Sequence, residues 1–198
     1  TDGVDLVALA DPGGDRFGVA GDLPVRRGVR ELIDAGIDAA IVATPTALHE
    51  EAALALAEAG VHALIEKPLA ASVEEGTRIR DAFAAASLVG AVGYVERCNP
   101  ALIDMRARIA SGQLGEIEQI VTRRQSPFPA RISDVGVVKD LATHDVDLAA
   151  WVADASYESI YARTSRRSGR PHEDMMVASG TLADGILGAL RRREGRLD

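Results

Sequence analysis

The chain has 198 residues, 47% of them apolar and 26% charged, the balance of an ordinary globular protein long enough to bury a proper core. A net charge of −8 argues against nucleic acid or an anionic membrane as a partner. No apolar run is long enough to span a bilayer, no signal peptide with a basic start opens the chain, and a single cysteine, Cys98, forms no internal disulfide, so a reducing cytoplasm is expected.

The chain opens at Thr1 and enters a strand almost at once, which predicts a missing upstream piece. Val4-Asp5-Leu6-Val7-Ala8-Leu9-Ala10 reads as that strand, stopped by Asp11-Pro12-Gly13-Gly14. Pro24-Val25 reads as a connection, and the segment around Arg30-Glu31-Leu32-Ile33 as a short helix closed by Gly36. Ala39-Ala40-Ile41-Val42-Ala43 is the next strand and ends on Thr44-Pro45-Thr46. A helix rich in alanine and leucine follows from about His49 to Glu58, with Gly60 beyond it. The strand His62 to Ile65 then stops abruptly at Glu66-Lys67-Pro68. Ser72 and Glu75 form a capping box for a helix running to about Ala86, and Leu88 to Tyr94 is a further strand. Strands alternating with helices at this spacing predict a right-handed parallel α/β sheet, and runs apolar throughout predict cover on both faces.

After Tyr94 the texture changes, which puts a domain boundary near residue 95 and divides the chain into 1–95 and 96–198. A helix with Leu102, Met105 and Ile109 on one face leads to a strand at Ile117–Thr122, then to a Pro/Arg/Ser loop from Arg123 to Ser133. A second helix is expected from about Val138 to Val152. Strands follow at Ser159–Arg163, Met175–Leu182 and Gly185–Leu190, the last two joined by a hairpin turn at Ala183-Asp184. The sheet is expected to stop after Leu190, with Arg191-Arg192-Arg193 in a diverged or truncated end.

Two places carry chemistry. In a parallel α/β sheet ligands sit just beyond the carboxyl ends of the strands, so Lys67 at such an end is a candidate for the reaction itself. Asp11 ends the first strand, where a carboxylate can accept bonds from an adenosine ribose and repel a 2′-phosphate; Asp-Pro-Gly is equally a common turn. The glycine-rich pyrophosphate turn that should precede that strand is absent from these residues. The second place is Gly136-Val137-Val138-Lys139-Asp140-Leu141-Ala142-Thr143-His144-Asp145. Four residues apart on a helix, Asp140 and His144 share one face; an imidazole takes a hydroxyl proton near neutral pH and a carboxylate orients it. No third metal ligand with suitable spacing is evident, so no metal is expected.

Three features in this order and spacing resemble the Gfo/Idh/MocA family of NAD(P)-dependent oxidoreductases: the loop Val42 to His49, the strand end Glu66-Lys67-Pro68, and Gly136 to His144. The resemblance implies a Rossmann-type parallel sheet lacking its first strand, followed by an α+β domain with a partial open sheet that mediates homo-oligomerisation. It implies NAD as cofactor, less so NADP, with Asp11, Thr44, Pro45, His49, Glu66 and Lys67 around it. It makes Lys67, Asp140 and His144 catalytic, either Lys67 or His144 being the base. The segments Val92 to Pro100 and Pro127 to Val138 resemble the subgroup of UDP-N-acetylglucosamine 3-dehydrogenases and imply Arg97, Asn99 and Arg131 at a nucleotide-sugar substrate. A cyclitol or other sugar dehydrogenase of the same family, or a truncated non-catalytic binding paralogue, are the alternatives.

Overall fold

The computed structural model describes residues 3–126 and 136–194. Its contacts divide the chain into two units, Thr1–Gly93 and Tyr94–Asp198.

The first unit runs β1 (Leu9–Ala10), β2 (Val25–Arg26), α1 (Val29–Asp34), β3 (Ala39–Val42), α2 (His49–Glu58), β4 (His62–Glu66), α3 (Val73–Ala85) and β5 (Gly90–Gly93). All its strand pairs are parallel, but they form two ladders: β1 with β2, and β3-β4-β5. In the doubly wound order 3-2-1-4-5-6, β2 and β1 correspond to positions 3 and 2, and β3 to β5 to positions 4, 5 and 6. No described strand holds the position between them. The sheet is thus Rossmann-type without its first strand. Two readings of this region need correction. Only Leu9 and Ala10 of the run from Val4 join a ladder, and Pro24-Val25 is not a mere connection but leads into β2. Leu9 N donates to Pro24 O at 3.0 Å and Asp11 N to Arg26 O at 2.9 Å; a strand of two residues has no periodicity of its own to read.

On α2, His49, Ala53, Leu56 and Ala57 are buried, the i, i+4, i+7, i+8 positions of one helix face. Ala53, Leu56 and Ala57 pack with Ile79 and Phe83 of α3 on Val42, Val61, Ala63 and Ile65. Each fully buried large side chain here, Leu56, Ile65 or Phe83, contributes about 1.5–3 kcal/mol relative to exposure. The Ser72 cap forms as expected: Glu75 N donates to Ser72 Oγ at 3.2 Å, while Glu75 Oε2 accepts from Ala71 N at 2.9 Å, one residue earlier than in the usual box. The expectation of cover on both sheet faces fails. In β4 Ala63 and Ile65 are buried but His62 and Leu64 are exposed, and Ile41 of β3 is 72% exposed. Both α2 and α3 serve one face, and no described element covers the other.

The second unit contains α4 (Pro100–Ala110), β6 (Gln119–Ser126), a π-helical turn (Val138–Ala142), α5 (Thr143–Ala153), β7 (Tyr157–Ser165), β8 (Met175–Leu182) and β9 (Leu187–Glu194). The sheet order is β6-β9-β8-β7, with β6 parallel to β9 and the other pairs antiparallel. The hairpin between β8 and β9 turns through Asp184 and Gly185, both at positive φ. Three expectations shift. Strand β6 continues through Arg123 and Arg124 to Ser126 instead of entering a loop. The expected helix from Val138 is a π-helical turn followed by α5. Strand β9 does not stop at Leu190 but carries Arg191, Arg192 and Arg193, pairing with β6 and β8 along its length. Among the described residues no helix is long and apolar enough to cross a membrane.

Candidate active site

In the first unit the carboxyl ends of β3 and β4 are tied together by a buried histidine. His49 opens α2 and is 1% exposed. Its Nε2 lies 2.9 Å from Thr44 O, and its Nδ1 lies 3.0 Å from Pro68 O and 3.3 Å from Leu69 O. The loop after β3, with Thr44 and Pro45, and the turn after β4, with Lys67, are therefore cross-linked through one side chain. The Lys67–Pro68 peptide is cis. Glu66 Oε2 accepts from Lys67 N at 3.1 Å. Neighbouring Gly93, at the end of β5, is where that carboxylate fits: a Cβ there would lie 3.0 Å from Glu66 Oε1. Asp11 is exposed at the end of β1, and its Oδ1 accepts from Gly13 N at 2.7 Å. Asp11 thus shapes its own turn while sitting at a strand's carboxyl end.

The second unit presents Asp140 and His144, half-buried, on the π-helical turn and the first turn of α5. Gly136 starts this stretch and is fully packed against Glu173; any Cβ would collide with the Glu173 carboxyl group. Glu173 in return accepts from Val137 N through its main-chain oxygen at 3.0 Å and from Val138 N through Oε1 at 3.1 Å. Glycine is needed here for close approach, not for an unusual φ. Asp174, next in the chain, accepts from Arg167 N at 2.7 Å and Ser168 N at 2.5 Å. Burial raises its carboxyl pKa, but these donors outweigh that and hold it below the ordinary carboxylate value.

Behind His144, Asp145 is 1% exposed and paired with Arg192 and Arg124, the latter at 3.3 Å. Arg124 also reaches Glu96 at 2.7 Å. Burial pushes the Asp145 carboxyl up, against the pull of the Arg192 and then the Arg124 guanidinium. Arg97 is engaged in a forked contact with Asp147, Nε to Oδ2 at 2.8 Å, and stacks over the Tyr94 ring at 5.5 Å. That bond to Asp147 holds the guanidinium pKa above its ordinary value. Asn99 caps α4, its Oδ1 accepting from Ala101 N at 3.0 Å. Arg131 and the segment Pro127 to Val135 lie outside the described residues. A separate cavity of about 660 Å³ between α4, α5 and β6 is lined by apolar side chains such as Met105, Ile109 and Leu148; no candidate catalytic residue borders it. Among the described residues no three His, Cys, Asp or Glu side chains group to hold a metal ion.

Sequence reading missed Glu173, Asp145, Asp147 and Arg192. For Arg192 a signal existed: Ile186, Gly188, Leu190 and Arg192 alternate inward in one phase, while Arg191 and Arg193 face out.

A parallel sheet with loops gathered at its strand ends, the arrangement that binds nucleotides in open α/β folds, precedes in sequence an α+β unit carrying an Asp/His turn. Residues 1–94 match the oxidoreductase family described as having an NAD-binding Rossmann fold, and residues 102–192 match the GFO/IDH/MocA C-terminal domain. The chain belongs to the Gfo/Idh/MocA family. It is 32% identical over 167 residues to scyllo-inositol 2-dehydrogenase (NAD(+)) of Bacillus subtilis, covering 80% of this chain and 49% of that protein. It is 31% identical over 156 residues to UDP-N-acetylglucosamine 3-dehydrogenase of Acidithiobacillus ferrooxidans, covering 79% and 48%. Among solved structures, the WlbA dehydrogenase of Bordetella pertussis in complex with NADH and UDP-GlcNAcA superposes with a TM-score of 0.86 at 26% identity, over 98% of this chain and 63% of that one. The chain spans about half the length of the curated relatives it matches.

Proposed function

We propose that the protein oxidises a secondary hydroxyl on the ring of a neutral polyol, a sugar or cyclitol, with NAD as hydride acceptor. The observation carrying this reading is the pair of motif-bearing stretches within the family: Lys67 on a turn fixed by His49, and Asp140 on a π-helical turn with His144 in the first turn of the α-helix that follows it. π-helical turns are rare and recur at functional sites.

The residues fit the cofactor. Asp11, Thr44, Pro45, Glu66 and Lys67 all lie at or just past strand carboxyl ends, where such a sheet binds nucleotides, and Asp11 favours NAD over NADP. His49, given the same role by the resemblance, also ties these loops together. When bound, NAD supplies the acceptor for hydride from the carbinol carbon. The family resemblance gives Lys67 the role of hydrogen-bonding the substrate hydroxyl and His144 that of taking a proton, with Asp140 orienting its ring. Lys67 as the base is the other assignment of the same groups.

A neutral polyol is preferred to a nucleotide sugar because Arg97 already faces Asp147, so the fork suited to a diphosphate is occupied by a carboxylate. The nucleotide-sugar reading requires Arg97 to exchange that partner. We also propose a second copy of the chain against the outer sheet face, where Val121, Tyr161, Val177 and Leu187 are exposed; a monomer in sedimentation would contradict it.

The test is calorimetric titration of NAD into the 198-residue chain and into a version with an upstream strand and glycine-rich turn added. NADH formation from inositols, free sugars and UDP-N-acetylglucosamine is then followed, with Lys67→Ala as control. Binding by the extended form and turnover of a polyol is expected. Binding to neither form would overturn the reading in favour of a non-catalytic protein.

A further inference from the structure

The π-helical turn that carries Asp140 is gripped from the sheet by one side chain. Arg192, on β9, is 0% exposed. Its Nη2 donates to Leu141 O at 3.0 Å, and its Nε pairs with the Asp145 carboxylate. Leu141 lies within the π-helical turn and Asp145 within α5, so one guanidinium bridges the junction at which the backbone changes from one helix type to the other. Asp140 and His144 each lie one residue before a residue held this way.

The sheet supplies the reason for this arrangement. Arg192 and Arg124 are direct partners across the parallel β6–β9 ladder. Like charges side by side on neighbouring strands repel, and Asp145 enters between them from α5, with Glu96 on the far side of Arg124. The charges alternate along Arg192, Asp145, Arg124 and Glu96. With Asp145 locked inward, the rotation of α5 about its axis is set, and His144 is directed about 100° around the helix from it. The planar fork also suits the task, since a guanidinium can donate in a fixed direction to a carbonyl while its charge faces a carboxylate.

We propose that Arg192 is a positioning residue, which through Leu141 O and Asp145 sets the π-helical turn and thereby the directions of Asp140 and His144. This rests on the reading of those two residues as site groups, but its test uses no turnover, so the two can fail separately. Amide hydrogen exchange and the ring nitrogen resonances of His144 are recorded for the 198-residue chain, for Arg192→Met, for Arg192→Lys and for the charge-free double variant Asp145→Leu/Arg192→Met. The expected result for Arg192→Met is that amides from Leu141 to Val146 exchange about tenfold faster and the His144 signals shift. The β7–β8 ladder amides at Ala162 and Ala178 should stay within about twofold of the parent. Arg192→Lys, which keeps the charge without the fork, should fall between. If Arg192→Met does not fold, the double variant, with no orphaned charge, carries the same expectation. Unchanged turn amides and His144 signals in a folded variant overturn the proposal. So does acceleration of turn and ladder together, or failure of every variant to fold, since each would make Arg192 a general stabiliser of the sheet. If the positioning holds while Asp140→Asn and His144→Gln leave turnover intact in the extended protein, the functional reading alone is wrong.

Discussion

The ring of His49 reaches Pro68 O at 3.0 Å from Nδ1, so the first residue of α2 holds the turn that follows β4 and carries Lys67. A residue expected at the cofactor is thus a brace between two strand ends, because its other nitrogen meets Thr44 O at 2.9 Å.

Replacing His49 by leucine therefore removes the buried ring N–H that faces one of the two carbonyls, Thr44 O or Pro68 O, and with it the link between the two loops. A loss of about 1–3 kcal/mol is expected in urea unfolding. His49→Gln, which keeps one amide donor, should recover part of it. Equal stability of His49→Leu and the parent would contradict the bracing role.

Gly136→Ala places a methyl group on the Glu173 carboxyl group. The expected cost is about 1–3 kcal/mol by overpacking, and it should be relieved in the double variant Gly136→Ala/Glu173→Ala, although that variant loses the acceptor for Val138 N. Chemical denaturation of the four proteins gives the coupling. Strict additivity would mean that the two residues do not meet.

The Asp174 carboxyl is held below its ordinary pKa by the Ser168 and Arg167 donors, which outweigh burial. A depressed folded-state value means that the unfolded chain binds the proton first as pH falls. The stabilisation is full above the ordinary carboxylate pKa and is lost as pH drops through the lower, folded value. Stability measured against pH should show a shallower acid limb in Asp174→Asn. The loop it pins leads directly to Glu173, so Gly136 to Val138 should loosen over the same acid range.

Asp147→Asn removes the charge facing Arg97. Turnover of a neutral polyol should change little, whereas affinity for a phosphate-bearing ligand such as UDP-N-acetylglucosamine should rise. If polyol turnover collapses and the nucleotide sugar is unaffected, Asp147 has another role.

Lys67→Ala in the extended protein should lower NADH formation by about 10²–10⁴-fold, the range for loss of a positioned proton-handling group. Its unfolding transition should match the parent's. A drop confined to affinity for NAD would reassign Lys67 to the cofactor alone.

Much of the first unit was legible because its determinants are local. The bounds His49–Glu58 of α2 follow from alanine and leucine content and a glycine just beyond. The start of α3 follows from Ser72 and Glu75, which bond within one turn. Strand β8 was readable from its run of apolar and small residues, Met175–Leu182. The order of motifs around Lys67, Asp140 and His144 placed the chain in its family without any coordinates. Tertiary structure decided the rest. Residues Val25 and Arg26 are a strand only because β1 lies beside them, and the π-helical turn interrupts what reads as one helix. Arg192 is buried because Asp145, 47 positions earlier, brings a charge to meet it. Arg97 is matched by Asp147, 50 positions away in sequence. A guanidinium in sequence looks the same whether it faces water, a substrate or a carboxylate. Which of these it meets is settled by partners that only the folded chain brings together, since the cost of burying a charge is met by whichever opposite charge packs against it.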